Sequence, residues 1–216
     1  VLEAEAAAAE NPADRQGLLF RLGQLAESRL GAPDRAAAAY EGILELDPKH
    51  LPSLRLLEPL YEAAGAHEKL SANLEIQQEL AQGPERERVM TKRARVAADG
   101  LEDPTASIAL YRELLGRNEQ AAVALEALLE RTGDHEGLRE LLEARLAGAV
   151  DPRELARLNE RLGRVLATML GRPEEALPYF RAALERDPRN RAALESMRDL
   201  YEQLGRHEDL VTTLRR

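Results

Sequence analysis

Cysteine and tryptophan are absent from the 216 residues, and aromatic side chains make up only 3% of them. Without cysteine there is no disulfide scaffold, no thiolate zinc site and no cysteine nucleophile. The compartment is left open by this, with a cytoplasmic setting as the default expectation. β-Branched residues are scarce: Val, Ile and Thr total 16, against 39 Leu and 36 Ala. Strands favour β-branched and aromatic residues, whereas helices favour Ala, Leu, Glu and Arg, so a β-rich fold is excluded. No apolar run approaches the ~20 residues of a membrane span. Positive charge is in deficit, with a net charge of −9. That balance argues against general nucleic-acid binding, which is driven by phosphate neutralisation. Lysine is almost missing, 3 against 27 Arg, which together with the alanine content suggests a GC-rich, bacterial genome.

What is present is a repeat. Displaced by 140 residues, the chain matches itself without a gap. Leu22-Gly23 falls on Leu162-Gly163, Ala36 on Ala176, Tyr40 on Phe180, Asp47-Pro48 on Asp187-Pro188, and Leu60-Tyr61-Glu62 on Leu200-Tyr201-Glu202. A middle copy answers both, with Asp103-Pro104, Tyr111 and the run Gly133-Asp134-His135-Glu136. It lacks about three residues after Asn118, where the others carry Asp-Pro. Self-similarity at a fixed period signals stacked repeats. Three units follow, at 12–82, 84–150 and 152–216, within one continuous array spanning 1–216.

Each unit divides into four helices of roughly 12–17 residues. Pro12, Pro84 and Pro152 open the first helices, two of them behind Asn11 and Asp151 as N-caps. Gly31 to Pro33 and its counterparts separate the first helix from the second. Asp47-Pro48 and Asp187-Pro188 end the second, since proline cannot donate within a helix. Gly65, Gly133 and Gly205 end the third. Leu18, Leu22 and Leu25 lie on one apolar stripe, as do Leu155, Leu158 and Leu162. Both chain ends, Val1 to Ala9 and Leu210 to Arg216, read as helix already in progress. The expectation is a piece of a longer protein whose Leu2, Leu210 and Leu214 are partly uncovered and mediate end-to-end self-association.

A hairpin of this length resembles the tetratricopeptide (TPR) repeat. That family carries Leu-Gly in its first helix, Gly before the second, then Ala, an aromatic four residues on, and a closing Pro. Leu162-Gly163, Ala176, Phe180, Ala183 and Pro188 fit this pattern, as do Leu22-Gly23, Ala36, Tyr40 and Pro48. One extra residue stands between the Gly and the Ala in both. The second hairpin of each unit departs further, with Leu70 in place of the small Ala and no closing Pro, and the Trp of the pattern is missing throughout. The resemblance implies an all-α, right-handed αα-superhelix (solenoid) of TPR-like hairpins, in which each hairpin buries its apolar face against its neighbours. It also implies a non-catalytic scaffold that binds another protein or peptide through its concave surface. The alternative is a structural spacer or self-assembling rod.

Few residues invite a chemical reading. His67, His135 and His207 recur at the same place in successive units, too far apart to share a metal ion, and read as packing side chains at helix starts. Tyr40, Tyr111 and Phe180 read as core aromatics. Glu174-Glu175 opens a helix, where carboxylates suit the positive dipole end. No nucleophile, phosphate loop or acid–base partner accompanies them, so no catalytic residue, cofactor or metal site is expected. One surface feature remains. Arg88, Lys92 and Arg95, spaced i, i+4, i+7, form a basic stripe on the first helix of unit two. Arg157, Arg161 and Arg164 repeat it 69 residues on, and unit one keeps only Arg21. Glu62, Glu130 and Glu202 take equivalent places on the third helices. Two readings stand: these Arg and Glu pair across hairpins, or the stripe receives an acidic partner segment. The charge is also graded along the chain: −7 over 1–82, −3 over 83–150 and +1 over 151–216.

Overall fold

Thirteen α-helices and no strand occur among the described residues of the computed structural model, which cover the backbone of 1–214; the side chains at 210 and 212–214 lie outside the description. The chain is an all-α array of TPR-like hairpins. It forms two compact parts, Val1–Leu125 and Glu126–Arg216. The first part holds α1 (Leu2–Ala8), α2 (Pro12–Ser28), α3 (Pro33–Leu46), α4 (Leu51–Ala63), α5 (His67–Leu80), α6 (Gly83–Arg95) and α7 (Pro104–Glu113). The boundary falls within α8 (Glu119–Thr132). The second part continues with α9 (His135–Gly148), α10 (Pro152–Arg164), α11 (Pro173–Arg186), α12 (Arg191–Gln203) and α13 (His207–Leu214). Within each part successive helices pack on one another, as short connections between helices require.

The helix starts follow from local chemistry. Asn11 accepts from the Ala13 N–H at 3.0 Å and Asp151 from the Glu154 N–H at 3.0 Å, each just ahead of a proline in the first turn. These carboxamide and carboxylate oxygens satisfy amide groups that lack an intrahelical acceptor. α3 and α11 stop identically. Asp47 and Asp187 accept from the Lys49 and Arg189 amides, each at 3.1 Å, across Pro48 and Pro188. The middle copy lacks this Asp-Pro stop, and α7 runs only 10 residues, short of the 12–17 expected. Its chain leaves the helix through tight turns at Leu114 and Leu115, whose amides reach back three residues to Tyr111 and Arg112.

The first helix of each copy ends in a widened turn. Val96–Gly100 and Val165–Met169 are π-helical. The Leu101 amide donates to the Val96 carbonyl and the Leu170 amide to the Val165 carbonyl, each at 3.0 Å. At the end of α2 the Leu30 amide reaches the Leu25 carbonyl at 3.3 Å in the same manner. One residue inserted into an α-helix is commonly absorbed as such a bulge. This accounts for the extra residue between Gly and Ala noted in the sequence. The turn then needs a left-handed residue. Gly31 (φ 56°) and Gly171 (φ 65°) supply it, and in the middle copy Glu102 (φ 52°) takes the same place.

The core of the first part gathers Ala26, Ala36, Tyr40, Ile43, Leu57, Tyr61, Leu70, Leu74 and Val89. In the second part Leu138, Leu142, Leu158, Leu162, Ala176, Phe180, Ala183, Ala193 and Tyr201 are buried. Small residues at 36 and 176 let helices approach, and the aromatics at 40 and 180 fill the wedge between them. Leu2 is half-buried, while Leu210 and Leu214 lie outside the described side chains.

Candidate functional site

Arg88 and Lys92 project from α6 toward α4 and meet a carboxylate there. Glu58 is only 7% exposed. Its Oε1 accepts from Lys92 Nζ at 2.8 Å and from Arg88 Nη1 at 3.2 Å, and its Oε2 accepts from Gln77 Nε2 of α5 at 3.1 Å. Lys92 also donates to Glu62 at 2.8 Å, and Arg88 to Glu85 within its own helix at 3.0 and 3.2 Å. Three helices are therefore clasped around one buried carboxylate. Burial works to raise the Glu58 carboxyl, but the hydrogen bonds from Lys92, Arg88 and Gln77 outweigh it and hold the group below the ordinary carboxylate range. Burial likewise opposes the charge on Lys92, and the hydrogen bonds it donates to Glu58 and Glu62 overcome that, so the ammonium is held above its usual range. A buried charge is tolerated only when it is paired and hydrogen-bonded, and this one meets both conditions.

The second part carries a second clasp at an offset of 68 or 69 residues. Glu126, also 7% exposed, receives Arg145 of α9 at 2.7 Å on Oε2 and Arg161 of α10 at 2.5 Å on Oε1. Arg161 extends to Glu130 at 2.6 Å, as Lys92 extends to Glu62. Arg145 also lies 3.7 Å from Glu154. Glu58 and Glu126 are the centres of these clusters, and neither stands out in the sequence. The only signal for them is their placement four residues before Glu62 and Glu130, one helical turn along the same face.

The structure thus divides the basic stripe. Arg88, Lys92 and Arg161 are held by carboxylates of neighbouring helices, together with Glu62 and Glu130. Arg95 and Arg157 are exposed and make no ion pair among the described residues. Arg164 approaches Glu160 only at 3.7 Å. Glu202 is exposed on α12, where its charge acts on Arg198. Position 198 is the counterpart of Glu58 and Glu126, and there the carboxylate is replaced by an arginine.

A second recurring contact shows how the hairpins hold register. Tyr61 donates to Glu41 at 2.9 Å, and Lys69 reaches the same carboxylate at 2.6 Å. In the later copy Arg181 stands in place of Glu41 and donates to the Tyr201 hydroxyl at 3.1 Å, and Asp209 stands in place of Lys69. The charges are exchanged between copies while the tyrosine keeps its role, because a phenol can donate or accept. Burial and the Glu41 carboxylate push the Tyr61 hydroxyl up; burial and Glu27 push that of Tyr40 up to about 12.

His67, His135 and His207 each begin a helix. Gly100 lies against the His67 ring, where a β-carbon would fall 2.6 Å from Cγ and Nδ1. Among the described residues no group of three or more His, Asp or Glu could hold a metal ion, and no helix is long and apolar enough to cross a membrane.

Residues 18–50 and residues 160–192 each match a tetratricopeptide repeat family model. These are the α2–α3 hairpin and the corresponding hairpin of α10 and α11. Similar solved structures include the MamA protein, 20% identical over 82% of this chain and 93% of that one, with a TM-score of 0.48. YrrB, described as a TPR protein with an unusual peptide-binding site, is 19% identical over 91% and 99%, TM-score 0.47. A tetratricopeptide repeat protein from Parabacteroides merdae is 16% identical over 99% and 82%, TM-score 0.46. No curated protein matches the chain in sequence. The two family matches, together with the hairpin architecture, make the chain a TPR-like helical repeat protein.

Proposed function

We propose that this protein is a non-catalytic interaction scaffold that binds a partner protein or peptide through the concave face of its repeats. TPR repeats generally mediate protein–protein interaction, and the repeats here are read as three four-helix units. The observation that carries the finer reading is the set of stripe arginines left outside the clasps. Arg95 in the first part and Arg157 in the second are exposed with no ion pair among the described residues, and Arg164 has a distant one. An exposed guanidinium presents up to five donors in a fixed fork that suits carboxylates. The partner read from this chemistry is a segment bearing Asp or Glu. No nucleic acid, cofactor or metal enters the reading.

Reversal of Arg95, Arg157 and Arg164 to Glu tests it, with fluorescence anisotropy of a labelled Glu-rich peptide as readout. The expected result is loss of binding in the triple variant with helicity unchanged, and weakening of wild-type binding by added salt through screening. Unchanged affinity in the triple variant overturns the assignment of these residues. Sedimentation of the wild-type chain separates the scaffold from a self-assembling rod: a monomer at high concentration rules out end-to-end association.

A further inference from the structure

The two clasps differ in the residue that the fourth helix brings; Lys92 of the first is Arg161 in the second, and the arginine held in the first is left exposed in the second. In the first, the residue contributed by the fourth helix is Gln77, which is neutral. Glu58 then takes both its cations from α6, Lys92 at 2.8 Å and Arg88 at 3.2 Å, and Arg88 is further held by Glu85. In the second, Arg145 occupies the place of Gln77. It brings a positive charge from α9, fills Oε2 of Glu126 at 2.7 Å and lies 3.7 Å from Glu154, the counterpart of Glu85. Arg161 fills Oε1 at 2.5 Å. Both oxygens of the buried carboxylate are then met by guanidinium groups, and Glu154 is shared with Arg145. Arg157, the counterpart of Arg88, is left exposed without an ion pair among the described residues.

We infer that Arg145 is a positioning residue that frees Arg157: by standing where Gln77 stands in the first clasp, it displaces Arg157 from the cluster and leaves that guanidinium available to a carboxylate of a partner peptide. The last step rests on the acidic-partner reading above; the displacement does not. The two clasps then have different tasks. The first is closed on itself and joins hairpins. The second also joins its helices, through Arg145 and Arg161 on Glu126, and it releases one arginine outward.

Two measurements on the full chain separate these statements. The first is labelling by phenylglyoxal, an arginine-selective dicarbonyl, followed by peptide mass spectrometry. Arg157 is expected to react several-fold faster than Arg88, since an unpaired guanidinium is the more accessible to attack. In Arg145→Gln, Arg157 should be recaptured by Glu126 and Glu154 and slow to the rate of Arg88. The reciprocal variant Gln77→Arg with Asn73→Leu, which installs the residues found at 145 and 141, should accelerate Arg88. Equal rates for Arg88 and Arg157 in the wild type, or an Arg157 rate unaffected by Arg145→Gln, overturn the positioning role. The second is anisotropy of a fluorescein-labelled hexaglutamate peptide. Arg157→Gln and Arg145→Gln should each weaken binding several-fold, and the double variant should be no weaker than Arg157→Gln alone, because Arg145 acts through Arg157. If labelling behaves as expected while Arg157→Gln leaves peptide affinity unchanged, the acidic-partner reading fails and the positioning role stands. If the two losses simply add, Arg145 contributes only its own charge and the positioning role fails.

Discussion

The ring of Phe180 occupies the space that a side chain on Gly163 would need: a β-carbon there would fall 2.9 Å from both Cε1 and Cζ. Tyr40 lies over Gly23 even more closely, at 2.4 Å from Cε1. In the middle copy the corresponding positions are Ala94 and Tyr111. Tyr111 there is 6% exposed, whereas Tyr40 and Phe180 are fully covered. The Leu-Gly pair of the repeat is thus a packing requirement, set by how closely the second helix presses its aromatic on the first.

The sign of the Gly163→Ala effect follows. In an exposed helix, alanine is more favourable than glycine by about 1 kcal/mol. Here the added methyl meets a rigid, fully buried ring, and overpacking of this kind costs about 1–3 kcal/mol. Urea denaturation is expected to show Gly163→Ala and Gly23→Ala destabilised, each more than a helix-surface control such as Gly17→Ala, whose β-carbon meets nothing within 4 Å.

Glu102 and Gly133 both have positive φ, at 52° and 72°, and substitutions at the two sites should act in opposite directions. A left-handed conformation costs an L-residue about 1–2 kcal/mol relative to glycine. Glu102→Gly removes that strain, and after the larger conformational entropy that glycine loses on folding a gain of about 0.5–1 kcal/mol is expected. Gly133→Val should cost about 1–2 kcal/mol. Thermal melts of the two variants, compared with wild type, check both signs.

Ser107 is fully buried in α7 and its hydroxyl has no hydrogen-bond partner among the described residues. Its counterparts are Ala36 and Ala176, both also fully buried. Burying an unpaired hydroxyl costs about 1–3 kcal/mol on protein mutational scales. Ser107→Ala is therefore expected to stabilise the chain by about 1 kcal/mol, read as a higher denaturant midpoint with an unchanged slope.

The Glu58 clasp predicts an acid-sensitive contribution. Its carboxyl is depressed in the folded protein, so between the folded and unfolded values the unfolded state binds more protons, and stability rises with pH in that window. The contribution is complete above the unfolded value of about 4.3 and fades as pH falls through the folded value. Glu58→Gln should cost about 1.5–3 kcal/mol at pH 7, the worth of hydrogen bonds to a charged group. The gap between variant and wild type, measured by urea unfolding from pH 7 to pH 3, should narrow below pH 4. A gap that stays constant across that range contradicts the clasp as described.

The positions of the turns were legible along the chain because each depends on a residue with its own backbone rule. Asn11, Asp47-Pro48, Asp151 and Gly205 mark helix ends by capping, by a missing amide or by φ alone. The TPR-like spacing of Gly163, Ala176 and Phe180 was legible for the same reason: small and aromatic residues recur where helices must approach and where the gap must be filled. The widened turns at Val96 and Val165 appeared in the sequence only as an extra residue, since a bulge is a choice of hydrogen-bond register that many residue types permit.

The sequence by itself determined that this protein is all-α and repetitive, and it drew attention to Arg88, Lys92, Arg95, Arg157, Arg161 and Arg164 as a doubled basic stripe. Only the tertiary structure decided among them. Whether an arginine is spent inside the molecule depends on carboxylates 30 or more residues away, on Glu58 for Arg88 and on Glu126 for Arg161, and on whether the third helix of the cluster brings a neutral Gln77 or a charged Arg145. Helical periodicity reports which residues share a face. It carries no information about the charge that the opposing helix presents to that face, and for a long charged side chain this pairing decides whether it closes a joint or remains open to a partner.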